Sequence, residues 1–134
     1  MLGIVIIGHG RMPDEFRQTL DHILGPQPGI ATVNVGPNDD LDSTRAQTEA
    51  AIAAVDTGCG VVVIADILGA TPGNVARTCS RPDVIVIGGA NVPMLLAIAQ
   101  GRRTISTLRD VVGRALATGH RHIVEAVCPE SCAI

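Results

Sequence analysis

The sequence is nearly empty of aromatic residues. Phe16 stands alone, with no Trp and no Tyr, and lysine is absent, so all ten basic residues are Arg. Without Trp and Tyr, the stacking platforms that hold single-stranded nucleic acid are missing. The ten Arg are outnumbered by thirteen acids, for a net charge of −3, and no basic stripe stands out. Nucleic acid is therefore not an expected partner. Long hydrophobic runs are also scarce. The longest, GVVVIADILGA over 60–70, carries an acid and is too short to span a bilayer, so no direct membrane insertion is expected. Met1 leads straight into a strand-like run without a basic leader segment, which reads as a cytoplasmic protein. Cysteines number four, Cys59, Cys79, Cys128 and Cys132, and without a secretory signal they read as free thiols.

What is present is aliphatic and punctuated by glycine. The 134 residues fit one domain, 1–134, with the tail from about 128 expected to be loose. LGIVIIG (2–8) reads as a buried strand, continuous, β-branched and bounded by glycine. RMPDEFRQTLDHILG (11–25) reads as a helix, with Pro13 and two acids in its first turn and Phe16, Leu20, Ile23 and Leu24 on one face. Strands follow at 30–35, 60–66 and 83–89. Between them the pattern predicts a helix from Asp42 or Ser43 to about Thr57. Its Ala46, Ala50, Ala53 and Ala54 would permit close packing on a sheet. A short helix is expected near Gly73, a helix with Pro93 in its first turn stopping near Gly101, and another over 104–119. HRHIVEAV (120–127) reads as a last, edge strand. Alternating strands and helices predict an α/β fold, an open and mostly parallel sheet with helices on both faces, with an antiparallel edge strand at the C-terminus as an option.

In such sheets ligands gather at the carboxyl ends of the strands. This sequence places Gly8-His9-Gly10 after the first strand, Asp66 and then LGATPGN after the third, and GGAN (88–91) after the fourth. One edge thus collects an imidazole, a carboxylate, the hydroxyl of Thr71, the amide of Asn91 and glycines that include Gly10 and Gly69. Histidine accepts a phosphoryl group on one ring nitrogen when the other is held as a donor, and Asp66 is suited to hold it. Glycines flanking the ring would let other backbone or a partner come close. Thr71 and backbone N–H groups near a helix start could bind phosphoryl oxygens. No Walker lysine motif is present, so a P-loop nucleotide site is excluded. Against this stands the plainer reading of His9 as a structural or solvated turn residue.

GIVIIGHG followed by a helix, then DILGATPGN, then GGANVPMLLAI, resembles the IIA component of the mannose family in the bacterial phosphoenolpyruvate-dependent sugar phosphotransferase system. The resemblance covers nearly the whole chain. It implies an α/β homodimer in which the C-terminal strand is exchanged between subunits, HRHIVEAV being the candidate here. It implies a phosphotransferase component in which His9 takes a phosphoryl group from the histidine-containing phosphocarrier protein and passes it to a IIB partner. Asp66 would support His9, and Thr71 stands where the family usually has serine. Asn91, Pro93 and Met94 match a second loop that shapes the site. No cofactor or metal is implied. The sequence departs from the family at Leu68, where an aromatic is usual, and at Ala70, usually glycine. Loss of an aromatic would remove an interface anchor. Two other roles are compatible: a carrier feeding dihydroxyacetone kinase, and a regulatory protein whose interface is switched by phosphorylation of His9.

Two further groupings have plain and functional readings. His120 and His122 with Cys128 and Cys132 could form a zinc site, or belong to a surface strand with a loose tail. Arg102 and Arg103 could be a solvated pair or a rim meeting an acidic partner.

Overall fold

In the computed structural model, which describes residues 1–129, four strands form one fully parallel sheet in the order β2-β1-β3-β4. The strands are β1 (Gly3–His9), β2 (Ile30–Val35), β3 (Val61–Ala65) and β4 (Val84–Ile87). The helices are α1 (Met12–Leu24), α2 (Leu41–Val55), α3 (Thr71–Thr78), α4 (Val92–Gly101) and α5 (Leu108–Arg121). Together these form the expected α/β architecture. β1 and β3 are buried on both faces, which is why they read as unbroken apolar runs. Alternate side chains divide the core in two. Ile4, Ile6, Val62, Ile64 and Ile87 meet Leu20 of α1 and the inner faces of α4 and α5. Val5, Ile7, Val33, Val63 and Ala65 meet Ile52 of α2 and Ala76 of α3.

Several local expectations are corrected. The cap of α2 is Asp40, whose carboxylate accepts the Asp42 and Ser43 N–H groups at 2.8 and 3.4 Å. The buried stripe of α2 is Thr44, Thr48, Ile52 and Val55. Ala46, Ala50, Ala53 and Ala54 face outward instead. The β-branched residues have more apolar surface to hide, and the threonine hydroxyls bond back to carbonyls one turn earlier, at 2.9 and 2.8 Å. On α1, Leu20 is buried, Phe16 and Leu24 are partly buried and Ile23 is exposed. The last helix begins at Leu108, because Thr107 caps it by accepting the Asp110 N–H at 3.1 Å.

The segment 120–127 forms no strand. His120 and Arg121 complete α5, and residues 123–129 are exposed and belong to no strand or helix. A strand needs a neighbouring edge for its hydrogen bonds, and none is brought to this segment within one described chain. Residues 130–134, with Cys132 and most of the tail expected to be loose, lie outside the described residues. Among the described residues no group of three His, Cys, Asp or Glu side chains could hold a metal ion. No helix among them is long and apolar enough to cross a membrane.

Arg102 is not a solvated side chain. It is 5% exposed and donates to the carbonyls of Leu2, Gly29 and Pro28 at 3.2, 3.4 and 2.5 Å. Burial, and secondarily the charge of Arg103, lowers its pKa. Arg103 remains exposed and donates to Gln27 Oε1 at 3.2 Å.

Candidate functional site

The strand order reverses at β1. The chain runs from β1 outward to β2, then crosses back to place β3 on the other side of β1. The carboxyl ends of β1 and β3 therefore flank a crevice of the kind that binds ligands in open α/β sheets. His9 ends β1, and Asp66 immediately follows β3. The register pairs Ile7 with Ala65, and the Asp66 N–H donates to the Ile7 carbonyl at 3.2 Å, so His9 and Asp66 arrive side by side although 57 residues apart.

Their contact is close and directional. His9 Nδ1 lies 2.6 Å from Asp66 Oδ2, and the His9 backbone N–H donates to the same oxygen at 3.0 Å. The other oxygen accepts the Ile67 N–H at 2.8 Å. Burial pushes the Asp66 pKa up, but the N–H and ring of His9 and the N–H of Ile67 outweigh it and hold the carboxyl below its ordinary value. An ionised carboxylate only accepts, so Nδ1 carries the hydrogen and neutral His9 keeps its lone pair on Nε2. Nε2 has no hydrogen-bond partner among the described residues. The His9 side chain is 54% exposed and that of Asp66 12%, so the ring is reachable while its support is shielded.

The two glycines beside His9 serve different ends. A Cβ on Gly8 would lie 3.1 Å from Asp66 Cγ, so Gly8 clears the space the carboxylate occupies. Gly10 takes φ +60° to turn the chain out of β1, and its N–H is spent on the Val35 carbonyl at 2.9 Å. The expectation that these glycines admit a partner is thus met at Gly10 only in the sense of open space; Gly8 admits the chain's own aspartate.

His9 and Gly10 line a cavity of about 300 Å³ with Thr71 and Pro72 of α3, with Val35 at the end of β2 and with Gly36, Pro37 and Asp39 after it. Thr71 is the first residue of α3, whose N-terminus faces this cavity, and the first-turn N–H groups of a helix have no intrahelical partner. Gly69 is exposed and does not line the cavity. Asn91 is also outside it. Its Oδ1 caps α4 by accepting the Met94 N–H at 2.9 Å, and its Nδ2 donates to the Gly119 carbonyl at 3.3 Å. Sequence reasoning missed the β2–α2 loop. The signal was GPNDD at a carboxyl strand end, but its relevance depends on β2 being the neighbour of β1.

Leu68 lies inward. It is partly buried against the α2–α3 side of the core, and a Cβ on Gly88 would collide with its Cγ. The exposed apolar residue of this loop is Ile67. Position 68 therefore acts on loop packing, and Ile67 offers the surface a partner would meet.

Known proteins resemble this chain in sequence and in fold. The family model EIIA-man, described as "PTS system fructose IIA component", matches residues 3–116. The PTS system mannose-specific EIIAB component of Escherichia coli (strain K12) is 27% identical over 124 residues, covering 91% of this chain but 38% of that protein, so the chain spans well under half of that relative's length. The PTS system fructose-specific EIIA component of Bacillus subtilis (strain 168) is 24% identical over 132 residues, covering 97% of this chain and 88% of the relative. Among solved structures, the phosphotransferase system component EIIA from Streptococcus agalactiae superposes with a TM-score of 0.85 at 26% identity, covering 93% of this chain and 97% of the other. A site at the β1–β3 crevice, on a chain matched by the family model along most of its length, carries one conclusion: the chain belongs to the EIIA-man family of sugar phosphotransferase-system proteins.

Proposed function

We propose that this chain is a cytoplasmic phosphoryl carrier in which His9 Nε2 accepts a phosphoryl group from a histidine-containing phosphocarrier protein and passes it to a IIB acceptor in sugar uptake. The observation that carries the reading is the 2.6 Å contact of His9 Nδ1 with the Asp66 carboxylate, which leaves Nε2 as the nucleophile at the mouth of a cavity. In the transfer the Nε2 lone pair forms a bond to phosphorus as the donor's P–N bond breaks, and that electron pair returns to the donor ring. The Nδ1 proton stays in place. The ring becomes cationic, and Asp66 offsets that charge where it forms. Thr71 Oγ1 and the free N–H groups at the start of α3 supply donors for the phosphoryl oxygens. Transfer between two histidines needs alignment and charge stabilisation, and a docked partner would exclude water from the site. Gly10 contributes room for the group. Gly69 and Asn91 act through the loop and the start of α4, outside the cavity.

The chain would work as a homodimer. β4 ends the sheet with one unpaired edge, and Ile123, Val124 and Val127 are 75%, 77% and 90% exposed, so a second copy could accept this segment as an added strand. Sedimentation of the whole chain, and of a chain ending at His122, tests this: both species monomeric at micromolar concentration would reject it.

The carrier reading is tested by mixing the protein with phosphoenolpyruvate, enzyme I and the phosphocarrier protein, and reading intact mass before and after mild acid. One acid-labile phosphate is expected, absent in His9→Ala. Phosphate retained by that variant would reject His9, and none on the wild-type chain from its own donor would reject the carrier role.

A further inference from the structure

A second cavity, of about 650 Å³, lies between α4 and α5, and nothing in the phosphoryl-carrier reading uses it. The two helices run antiparallel: Asn91 and Met94 at the start of α4 meet Gly119 near the end of α5, and Gly101 at its end meets Val111. Pro93, Leu96, Ala97 and Gln100 recur at helical spacing along the α4 side, the first three giving it an apolar floor, and the eight helical steps from Pro93 to Gly101 span roughly 12 Å. The α5 side presents Arg114, Thr118 and Arg121 at the same spacing, and Arg103 stands among the lining residues after α4.

The charge of this wall is one-sided. The chain is net negative, yet no carboxylate lines the cavity while three guanidinium groups do. The guanidinium groups of Arg114 and Arg121 form no hydrogen bond or ion pair with any described residue, in contrast to those of Arg11, Arg17 and Arg81, which pair with acids. Guanidinium groups bind carboxylate and phosphate through paired N–H donors, and a cleft of this volume with an apolar floor and a few directed polar groups suits a small molecule. Thr118 and Gln100 add uncharged hydrogen-bonding groups.

We propose that the α4–α5 groove is a binding site for a small organic anion with an apolar body, its acidic groups held by Arg114 and Arg121 and its body laid along Leu96 and Ala97. The site is independent of His9, so this proposal and the phosphoryl-carrier reading stand or fall separately.

The probe is 1-anilinonaphthalene-8-sulfonate, an apolar ring system carrying one sulfonate. Because the chain has no Trp or Tyr, probe fluorescence is read without protein background. The expected result is one saturable site per chain, with amide shifts in a labelled sample confined to residues 93–104 and 114–122. Binding weakens at least tenfold in Arg114→Gln/Arg121→Gln, and in Ala97→Glu, which places a carboxylate on the floor. Thermal melts confirm that both variants fold, and His9→Ala binds as the wild type does. Benzene-1,3-dicarboxylate is expected to displace the probe. Overturning results are an absence of saturable binding, affinity unchanged in both variants, or shifts centred on His9. Displacement by polyglutamate with none by the small dicarboxylate would also overturn it, assigning the groove to an acidic protein partner.

Discussion

At the residue scale the site depends on a tautomer. Asp66→Asn preserves the side chain's shape but removes its charge, and its amide can donate to Nδ1, which moves the ring hydrogen to Nε2 and removes the lone pair that the proposed transfer needs. Transfer to His9 is expected to slow by about 10²–10⁴-fold, with the far-ultraviolet circular dichroism unchanged; single-turnover rates within twofold of wild type would remove Asp66 from its orienting role. A second carboxylate reports on stability. Asp14 on α1 accepts from Thr32 Oγ1 at 2.5 Å and from Asn34 Nδ2 at 2.7 Å, and these bonds, that of Thr32 first, lower its pKa. A depressed folded-state pKa means the unfolded chain binds the proton more tightly. The contribution is therefore present above the ordinary carboxylate range and lost as pH falls through that range and below it. Melting temperatures followed from pH 7 to pH 3 should fall less steeply in Asp14→Asn than in wild type; parallel curves would remove Asp14 from the acid response. His9 and Asp66 were legible in the sequence, because a glycine-flanked histidine and an aspartate each closed an apolar run. Asp14 was legible only as a helix-start acid. Its partners sit on β2, and contact across layers leaves no mark in local spacing.

At the element scale, α3 positions Thr71 and its N–H groups only while it sits tight against the loop after β3. A Cβ on Gly73 would collide with the Ile67 carbonyl oxygen and Leu68 Cα. Both are backbone atoms that cannot rotate away. Gly73→Ala is thus expected to destabilise by about 1–3 kcal/mol despite alanine's better helix propensity. It should also slow phosphoryl transfer by pushing the helix start off the cavity. Urea unfolding and the transfer assay read both effects, and a gain in stability would show that the helix shifts freely. The same element shows where sequence patterning runs out. Helix existence followed from period and capping signals, but the buried face of α2 was misassigned. Alanines at compatible spacing look like a packing stripe, yet the threonines and β-branched residues won the core once a sheet face was there to receive them.

At the scale of the whole molecule, Arg102 latches the end of the sheet opposite the site. One guanidinium reaches the carbonyls of Leu2, Pro28 and Gly29, joining the chain after α4 to the entrances of β1 and β2. Arg102→Ala leaves these carbonyls without their charged donor in a buried place and is expected to cost about 3 kcal/mol. Arg103→Ala, one position on and exposed, should cost less than about 0.5 kcal/mol. Denaturant unfolding of the two variants checks the contrast, and equal losses would mean that the latch carries no special share of stability. In sequence these arginines are neighbours of identical type, and only the path of the chain separates a buried clamp from a surface charge.

The sequence by itself determined the alternation of strands and helices, the loops at the carboxyl ends and the residue types able to carry a phosphoryl group, because periodicity, glycine turns and side-chain chemistry are local properties. Tertiary structure alone decided that β2 lies beside β1, bringing Gly36, Pro37 and Asp39 to His9 while leaving Gly69 and Asn91 outside the cavity. It also decided that the segment 120–127 does not form a strand in the described chain, that Arg102 is buried, and that α4 and α5 enclose a cationic groove. These outcomes rest on which surfaces meet across long sequence separations. Strand order, edge pairing and desolvation depend on those encounters, and no window along the chain contains both partners.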